Sequence, residues 1–199
     1  MAREPRGRLR LPLSEGGTVA GKQVALIRGI NVGRAKRVAM AELRGLIEGL
    51  GYSSVRTLLN SGNVAFTTPR KAPGNAAARI EAALATKLGV SARITVLTAA
   101  QLAAVVTENP LGKSAADPSR LLVCFLADPG DRSKLTPMRK LDWGKEVIAI
   151  GTRAAYLWCP DGILASRLHQ AVIRTLGDAV TSRNWATVMK LHALTGDSP

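Results

Sequence analysis

Apolar residues fall along the chain in two kinds of pattern. Nearly continuous apolar runs such as 23–30 are typical of central strands, whereas apolar residues three or four apart, as from Met40 to Leu50, are typical of amphipathic helices. Gly51 and Gly89 follow the helical patterns of the first half and predict their ends. The first half therefore predicts, in order, strand 23–30, helix 40–50, strand 55–59, strand 63–66, helix 80–88 and strand 92–97.

This order of elements is that of the ferredoxin-like split β-α-β arrangement. In such a unit the first two strands run parallel, and the third lies antiparallel between them. The turn sequence Asn60-Ser61-Gly62 joins the second and third strands. We therefore predict an α+β fold whose first subdomain is ferredoxin-like (βαββαβ) with an antiparallel sheet.

The second half repeats these patterns without a sequence repeat, and it predicts a similar α/β sandwich. A short helix over 99–106 and a loop over 111–119 link the two halves. The elements predicted after them are strand 120–127, helix 134–141, and strands 146–150 and 154–159 around the turn Gly151-Thr152. A helix follows, with Leu164, Leu168, Val172 and Leu176 on one face. The chain then continues with a short strand near Val180 and a final helix that has Trp185, Val188, Met189 and His192 on its buried side.

Four segments follow from these patterns. Residues 1–20 are predicted to be a disordered basic arm or an extension outside the fold, because they carry four arginines without apolar periodicity. A ferredoxin-like subdomain follows over 21–98, then a helix and linker over 99–119, and a second α+β subdomain over 120–199. The arginines of the arm resemble the start of a signal peptide, but no apolar stretch follows them, so we do not predict export.

The balance of charge is the strongest compositional feature. The chain of 199 residues carries 28 Lys and Arg against 14 Asp and Glu, a net charge of +14, and the acids and bases of the arm account for little of it. A basic body attracts nucleic acid or another phosphate-bearing polyanion. The alternative is a solvated arginine-rich surface without such a partner, because the basic residues are spread along the chain.

The cysteine and histidine content argues against a disulfide-rich or zinc-binding protein. Two cysteines make no disulfide framework, and with two histidines they make a structural zinc site improbable. We expect a reduced cytoplasmic protein without a metal or cofactor, and no apolar run approaches the ~20 residues of a membrane helix. The sequence does not determine the oligomeric state.

Two polar stretches should meet at one edge of the first sheet. The end of the first strand brings Arg28, Asn31 and Gly33 there, and the turn between the second and third strands brings Ser61, Gly62 and Asn63. The first helix also begins at that edge, so amides, a hydroxyl and a guanidinium would surround a place for an anion such as phosphate. The alternative is that the turn residues serve only the turn.

A second anion-binding hypothesis concerns Arg183 and Asn184, at the predicted start of the last helix. Both would offer donors at a positive helix end. In the structural alternative, Ser182 caps the helix and Trp185 packs inward.

Other motifs carry no catalytic prediction. Gly112-Lys113-Ser114 resembles the end of a phosphate-binding P-loop, but Thr107 replaces the required glycine and a helix replaces the preceding strand. Cys159 and His169 could form a nucleophile and base, yet no element forces them together. The catalytic residues, if there are any, are not identified by the sequence.

Four stretches, Leu26–Gly33, Met40–Arg44, Ser61–Val64 and Thr181–Trp185, together resemble the bacterial domain-of-unknown-function family numbered 1697. They occur in the family's order and span roughly residues 22–195. The resemblance implies an α+β fold with two subdomains. It implies no activity, cofactor or site residue, and the 1–20 arm precedes the usual start of the family.

Two functions remain open. The first is a binding protein for a phosphate-bearing partner, nucleic acid above all, through contacts with the backbone phosphates. The second is an enzyme that acts on a small anionic substrate at the cleft between the subdomains. A pocket containing a perturbed carboxylate or histidine would favour the enzyme, and a broad positive face would favour the binding protein.

Deletion of residues 1–20 should leave the melting temperature nearly unchanged, because the arm lacks the apolar periodicity that packing requires. Thermal unfolding of the full chain and the shortened chain, followed by circular dichroism, measures this. A loss of more than a few degrees would show that the arm packs against the body.

Overall fold

Each half of the chain forms a four-stranded antiparallel sheet with the same strand order. The structure, a computed structural model, describes residues 21–32, 37–70, 74–113 and 116–196. The predicted arm and the candidate residue Gly33 lie outside these residues.

The first sheet has the predicted ferredoxin-like topology. Its strand order is β2-β3-β1-β4, and all neighbouring strands are antiparallel. The first two strands therefore run parallel with the third between them, as predicted. The elements are β1 (Gly21–Ile27), α1 (Met40–Glu48), β2 (Ser53–Leu58), β3 (Asn63–Thr68), α2 (Ala76–Leu88) and β4 (Ile94–Thr98).

The second sheet repeats this topology with the order β6-β7-β5-β8, again fully antiparallel. The prediction of two similar α+β subdomains is therefore confirmed. The elements are α3 (Ala99–Thr107), β5 (Leu121–Leu126), α4 (Arg132–Leu135), β6 (Val147–Ile150), β7 (Ala154–Trp158), α5 (Arg167–Leu176), β8 (Val180–Asn184) and α6 (Trp185–Thr195).

The two subdomains share a core between their sheets. Alternate residues of a strand face opposite sides, so Ala25 and Ile27 of β1 pack under α1 and α2, while Val24 and Leu26 face the second sheet. Helices α3 and α6 fill the space between the sheets and contact strands of both. Helices α4 and α5 cover the far side of the second sheet.

Side-chain caps explain where several helices begin. Thr98 and Gln101 form a reciprocal capping box at the start of α3. Ser166 accepts a hydrogen bond from the backbone N–H of His169 at 2.9 Å and starts α5. Leu164 therefore precedes α5 and is 97% exposed, so its predicted place on the buried face of that helix is wrong.

Two further predictions in the second half are wrong in detail. The segment predicted as helix 134–141 is an α-helix only over Arg132–Leu135 and continues as a 3-10 helix over Thr136–Lys140. Pro137 lacks a backbone donor, which disfavours a continuous α-helix there. In α6, Met189 is 40% exposed, because the buried stripe runs through Thr187, Val188, Leu191 and Thr195 instead.

Within the described residues, no helix combines the length and the apolar character that crossing a membrane requires.

Leu191→Ala should destabilise the whole protein by about 2–5 kcal/mol, because Leu191 is fully buried in the core that both sheets share. Urea unfolding should show one transition at a lower midpoint, followed both by far-ultraviolet circular dichroism and by tryptophan fluorescence. Met189→Ala, on the exposed side of the same helix, is the matched control and should change stability by less than about 1 kcal/mol. Two separate transitions would contradict a core shared by the subdomains.

Candidate functional site

Arg183, on β8 of the second sheet, reaches across to the first subdomain and lies at the centre of the predicted site. Its Nη2 donates to the carbonyl oxygens of Ile27 at 2.8 Å and Ser61 at 3.0 Å. Its Nε donates to Oδ1 of Asn63, and its Nη1 donates to the carbonyl of Ser182 at 2.8 Å. These acceptors are all neutral. Burial lowers the pKa of Arg183 to about 10, so the guanidinium stays charged at neutral pH.

The turn between β2 and β3 provides hydrogen-bond acceptors for Arg183. Asn63 is fully buried, and its Nδ2 donates to the carbonyl of Leu58 at 3.1 Å and to Oγ of Ser61 at 2.9 Å. Gly62 has φ +74°, and a Cβ there would lie 2.9 Å from both Cβ and the carbonyl oxygen of Ile27. Only glycine allows this approach of the turn to the end of β1.

Asn31 connects the loop after β1 to the same turn. Its Nδ2 donates at 2.9 Å to the carbonyls of both Val38 and Asn60, and its Oδ1 accepts from the N–H of Val38 at 2.8 Å. Both ends of the amide are therefore engaged within the protein. Asn31 holds φ at 56°, a left-handed conformation that asparagine tolerates better than most residues.

Arg28 faces a different direction. Its Nη1 donates to the carbonyl of Gly177 and lies 2.9 Å from Oδ1 of Asp178, in the segment that precedes β8. The Asp178 side chain is 78% exposed, so this ion pair is at the surface. Arg28 therefore links the two subdomains beside Arg183.

Asn184 caps α6, with its Oδ1 accepting from the N–H of Thr187 at 2.9 Å. The alternative in which Ser182 provides this cap is wrong, because α6 begins at Trp185 and Asn184 occupies its cap position. Its Oγ instead lies 3.2 Å from Nε2 of His169 and 3.3 Å from Sγ of Cys124.

The predicted meeting of the two polar stretches is present, but most of their donors and acceptors bind one another. Arg183, Asn63 and Ser61 form one hydrogen-bonded cluster, and Asn31 joins the same turn through Asn60. The contacts of Arg183 with Asn63 and Ser61 join residues 120 and 122 positions apart, which local sequence patterns do not encode. The partner of Arg28, Asp178, was likewise missed.

An open cavity of about 560 Å³ adjoins this cluster at the start of α1. Its lining includes Asn31, Arg37, Ala39 and Asn60. Ala39 occupies the cap position, and no side chain caps the helix there. The N–H groups of the first turn of α1 therefore lack the side-chain acceptor found at the start of α3 and α6.

A second cavity, of about 590 Å³, lies between the subdomains, where the sequence predicted a cleft. Its charged lining consists of two arginine–acid pairs, Arg28 with Asp178 at 2.9 Å and Arg93 with Glu81 at 3.6 Å. The cations of this cavity are thus already neutralised by carboxylates of the protein.

The cysteines do not form a reactive centre. Cys124 and Cys159 are both buried and free, and burial raises the pKa of each thiol, that of Cys124 to about 12. Burial lowers the pKa of His169, and its Nε2 contacts Ser182. The described residues include no group of three or more His, Cys, Asp and Glu side chains that could hold a metal ion.

Comparison with known proteins finds a family and a fold. The family model described as "Protein of unknown function (DUF1697)" matches residues 21–156. A solved structure, that of the conserved bacterial protein SP0830 from Streptococcus pneumoniae, is similar with a TM-score of 0.71 at 22% sequence identity, covering 89% of this chain and 100% of that one. No curated protein matches.

Arg183→Ala should destabilise the protein by roughly 3 kcal/mol, because it leaves the acceptors of the buried residues Ile27 and Asn63 without their donor, at about 1–3 kcal/mol each. Arg183→Lys should recover little of this loss, since an ammonium group lacks the planar fork. Urea unfolding measures both variants.

Arg28→Ala, which removes the neighbouring arginine that also links the two subdomains, is the matched control. Its partner Asp178 is exposed, so the loss should stay below about 1 kcal/mol. If Arg183→Ala kept full stability, the arginine would be available for a ligand and its structural role would be wrong.

Proposed function

The chain belongs to the DUF1697 family of proteins of unknown function, and we propose that it binds a phosphate-bearing partner, nucleic acid above all, through the backbone phosphates. The observation that carries this proposal is the cavity at the start of α1, where Arg37 lies beside a helix end that no side chain caps. A helix N-terminus with a neighbouring guanidinium favours a phosphate group.

The unpaired basic residues of the surface support the proposal. Ion pairs between described residues engage Arg28, Arg93, Arg120 and Lys134. Many other exposed basic side chains have no acidic partner within the described part of the chain, among them Arg37, Arg44, Arg56 and Lys140. With a net charge of +14, such a surface favours association with polyanions over a large area.

The fold makes base-specific recognition unfavourable. Ferredoxin-like RNA-binding domains stack bases on aromatic residues of an open sheet face. Here Phe66 is buried under the outer helices of the first sheet, and α3 and α6 cover the inner faces of both sheets. The proposed contacts are therefore with phosphates and should depend little on sequence.

We also propose a cytoplasmic location for the protein. Its two cysteines are free and buried, and nucleic acid is available there. Free thiols are the usual state of cysteine in a reducing compartment.

An enzyme acting on a small anionic substrate is the second candidate, and the cavity between the subdomains is the feature that favours it. A substrate anion would have to displace Asp178 from Arg28 or Glu81 from Arg93. An anion that binds at the start of α1 would displace no carboxylate, because Arg37 has no acidic partner within the described residues. We therefore rank the binding function first.

Binding to short single- and double-stranded oligonucleotides, measured by fluorescence anisotropy, should be detectable at ~50 mM salt and should weaken steeply by ~200 mM salt through counterion release. Oligonucleotides of scrambled sequence should bind within a few-fold of one another. No binding at the lower salt concentration would exclude the proposed function.

Two substitutions at the α1 cavity should act in opposite directions. Arg37→Ala should weaken binding and reduce the salt slope by about one, as expected for one lost phosphate contact. Glu42→Gln should strengthen binding, because Glu42 lies in the first turn of α1 and its charge opposes an anion there. Arg174→Ala, on the exposed side of α5 in the opposite outer layer, is the control and should change little. Equal losses for Arg37→Ala and Arg174→Ala would place the binding outside this cavity.

A further inference from the structure

A third open cavity, of about 630 Å³, lies in the second subdomain and takes no part in the function proposed above. It is bounded by the end of α3, by the helical turns 132–140 and by the turn between β6 and β7. Its polar lining consists of Glu108, Arg132, Ser133, Thr136, Arg139 and Thr152.

The two arginines of this cavity differ from those of the cleft between the subdomains. Arg132 and Arg139 take part in no ion pair or hydrogen bond of their guanidinium groups within the described chain. Lys134 is turned to Asp131 at 2.7 Å, and it does not line the cavity. Two unpaired guanidinium groups on one cavity wall repel each other unless an anion lies between them. A phosphate group matches their fork geometry.

Glu108, at the end of α3, provides a fixed acceptor on a different part of the cavity lining from the two arginines. Its Oε2 accepts from the N–H of Thr152 at 2.8 Å, which ties the end of α3 to the β6–β7 turn. A Cβ on Gly151 would lie 2.8 Å from the same oxygen, so the glycine makes room for the carboxylate. Among the described residues no hydrogen bond reaches Oε1 of Glu108, which is therefore available to a hydroxyl donor.

From this arrangement we infer that the cavity binds a small phosphate monoester that carries hydroxyl groups, with Arg132 and Arg139 on the phosphate and Glu108 accepting from a hydroxyl. The hydroxyls of Ser133 and Thr136 donate to the carbonyls of Gly130 and Arg132, so in the cavity their oxygens add acceptor capacity for further hydroxyl groups of the ligand. A carboxylate facing two arginines disfavours a bare phosphate relative to a ligand that also satisfies the carboxylate. Sugar phosphates and nucleoside monophosphates share this chemistry.

Thermal unfolding with ribose 5-phosphate, AMP, ribose and inorganic phosphate tests the inference. Ribose 5-phosphate should raise the melting temperature in a concentration-dependent manner, because it binds only the folded state. Ribose should have no effect, and inorganic phosphate should be clearly weaker. If AMP binds more tightly than ribose 5-phosphate, the ligand is a nucleotide, and the reverse order indicates a sugar phosphate.

Variants separate this cavity from general charge effects. Arg132→Ala and Arg139→Ala should each raise the Kd for ribose 5-phosphate by roughly tenfold or more, as a lost charge-assisted hydrogen bond predicts. Glu108→Gln keeps an acceptor for Thr152 but removes the charge, and it should reduce the preference for ribose 5-phosphate over inorganic phosphate. Arg44→Ala, an exposed arginine on α1, should leave the Kd unchanged.

Three results of the ribose 5-phosphate, AMP and inorganic phosphate measurements would overturn the inference. These are no protection by ribose 5-phosphate or AMP at millimolar concentration, equal protection by inorganic phosphate, and an equal loss in Arg44→Ala. Oligonucleotide binding measured on the same variants keeps the two proposals distinct. Retained oligonucleotide binding with lost ribose 5-phosphate binding supports a separate site, whereas a parallel loss of both would make the cavity part of the polyanion surface and contradict the inference.

Discussion

One partly buried guanidinium determines how the two halves of the molecule meet. Arg183 leaves the edge strand of the second sheet and ends among carbonyl oxygens at the end of β1 and in the β2–β3 turn. It does so without a carboxylate, so the dipoles of the backbone and of Asn63 replace the hydration that the charge loses. Such an arrangement requires several acceptors in one place. The positive φ of Gly62 lets the turn approach the end of β1, and the buried amide of Asn63 provides one of these acceptors.

The same contact explains why the cavities differ in character. With Arg183 holding β8 against the first subdomain, the segment before β8 comes within reach of Arg28 and supplies Asp178. The cleft between the halves therefore contains matched charges. The cavity beside α1 adjoins this contact and the cavity beside the 132–140 turns lies in the second subdomain, and both are lined by arginines without acidic partners in the described part of the chain. Whether an arginine is available to bind an anion thus depends more on how the two subdomains pack than on the number of basic residues.

Sequence patterns were sufficient for the architecture and insufficient for the site. Apolar periodicity identified the strands of both sheets, and the order of elements predicted their pairing, because both depend on neighbours along the chain. The partners of Arg183 lie in the other subdomain, and no periodicity identifies them. The errors at Leu164 and Met189 have a related cause. Helical spacing marks which residues share a face, but capping by Ser166 and packing between two sheets decide where the face begins and how wide it is.

Two edge strands of the sheets have features that disfavour aggregation of the protein by strand pairing between molecules. Strand β2 is an edge of the first sheet, and its pairing shifts register between Ser53 and Arg56, with Ser54 at φ 52°. Strand β6 is an edge of the second sheet and is only four residues long. A kinked edge and a short edge both offer poor templates for an incoming strand. Each of these two edges therefore presents little continuous backbone on which intermolecular cross-β structure could start.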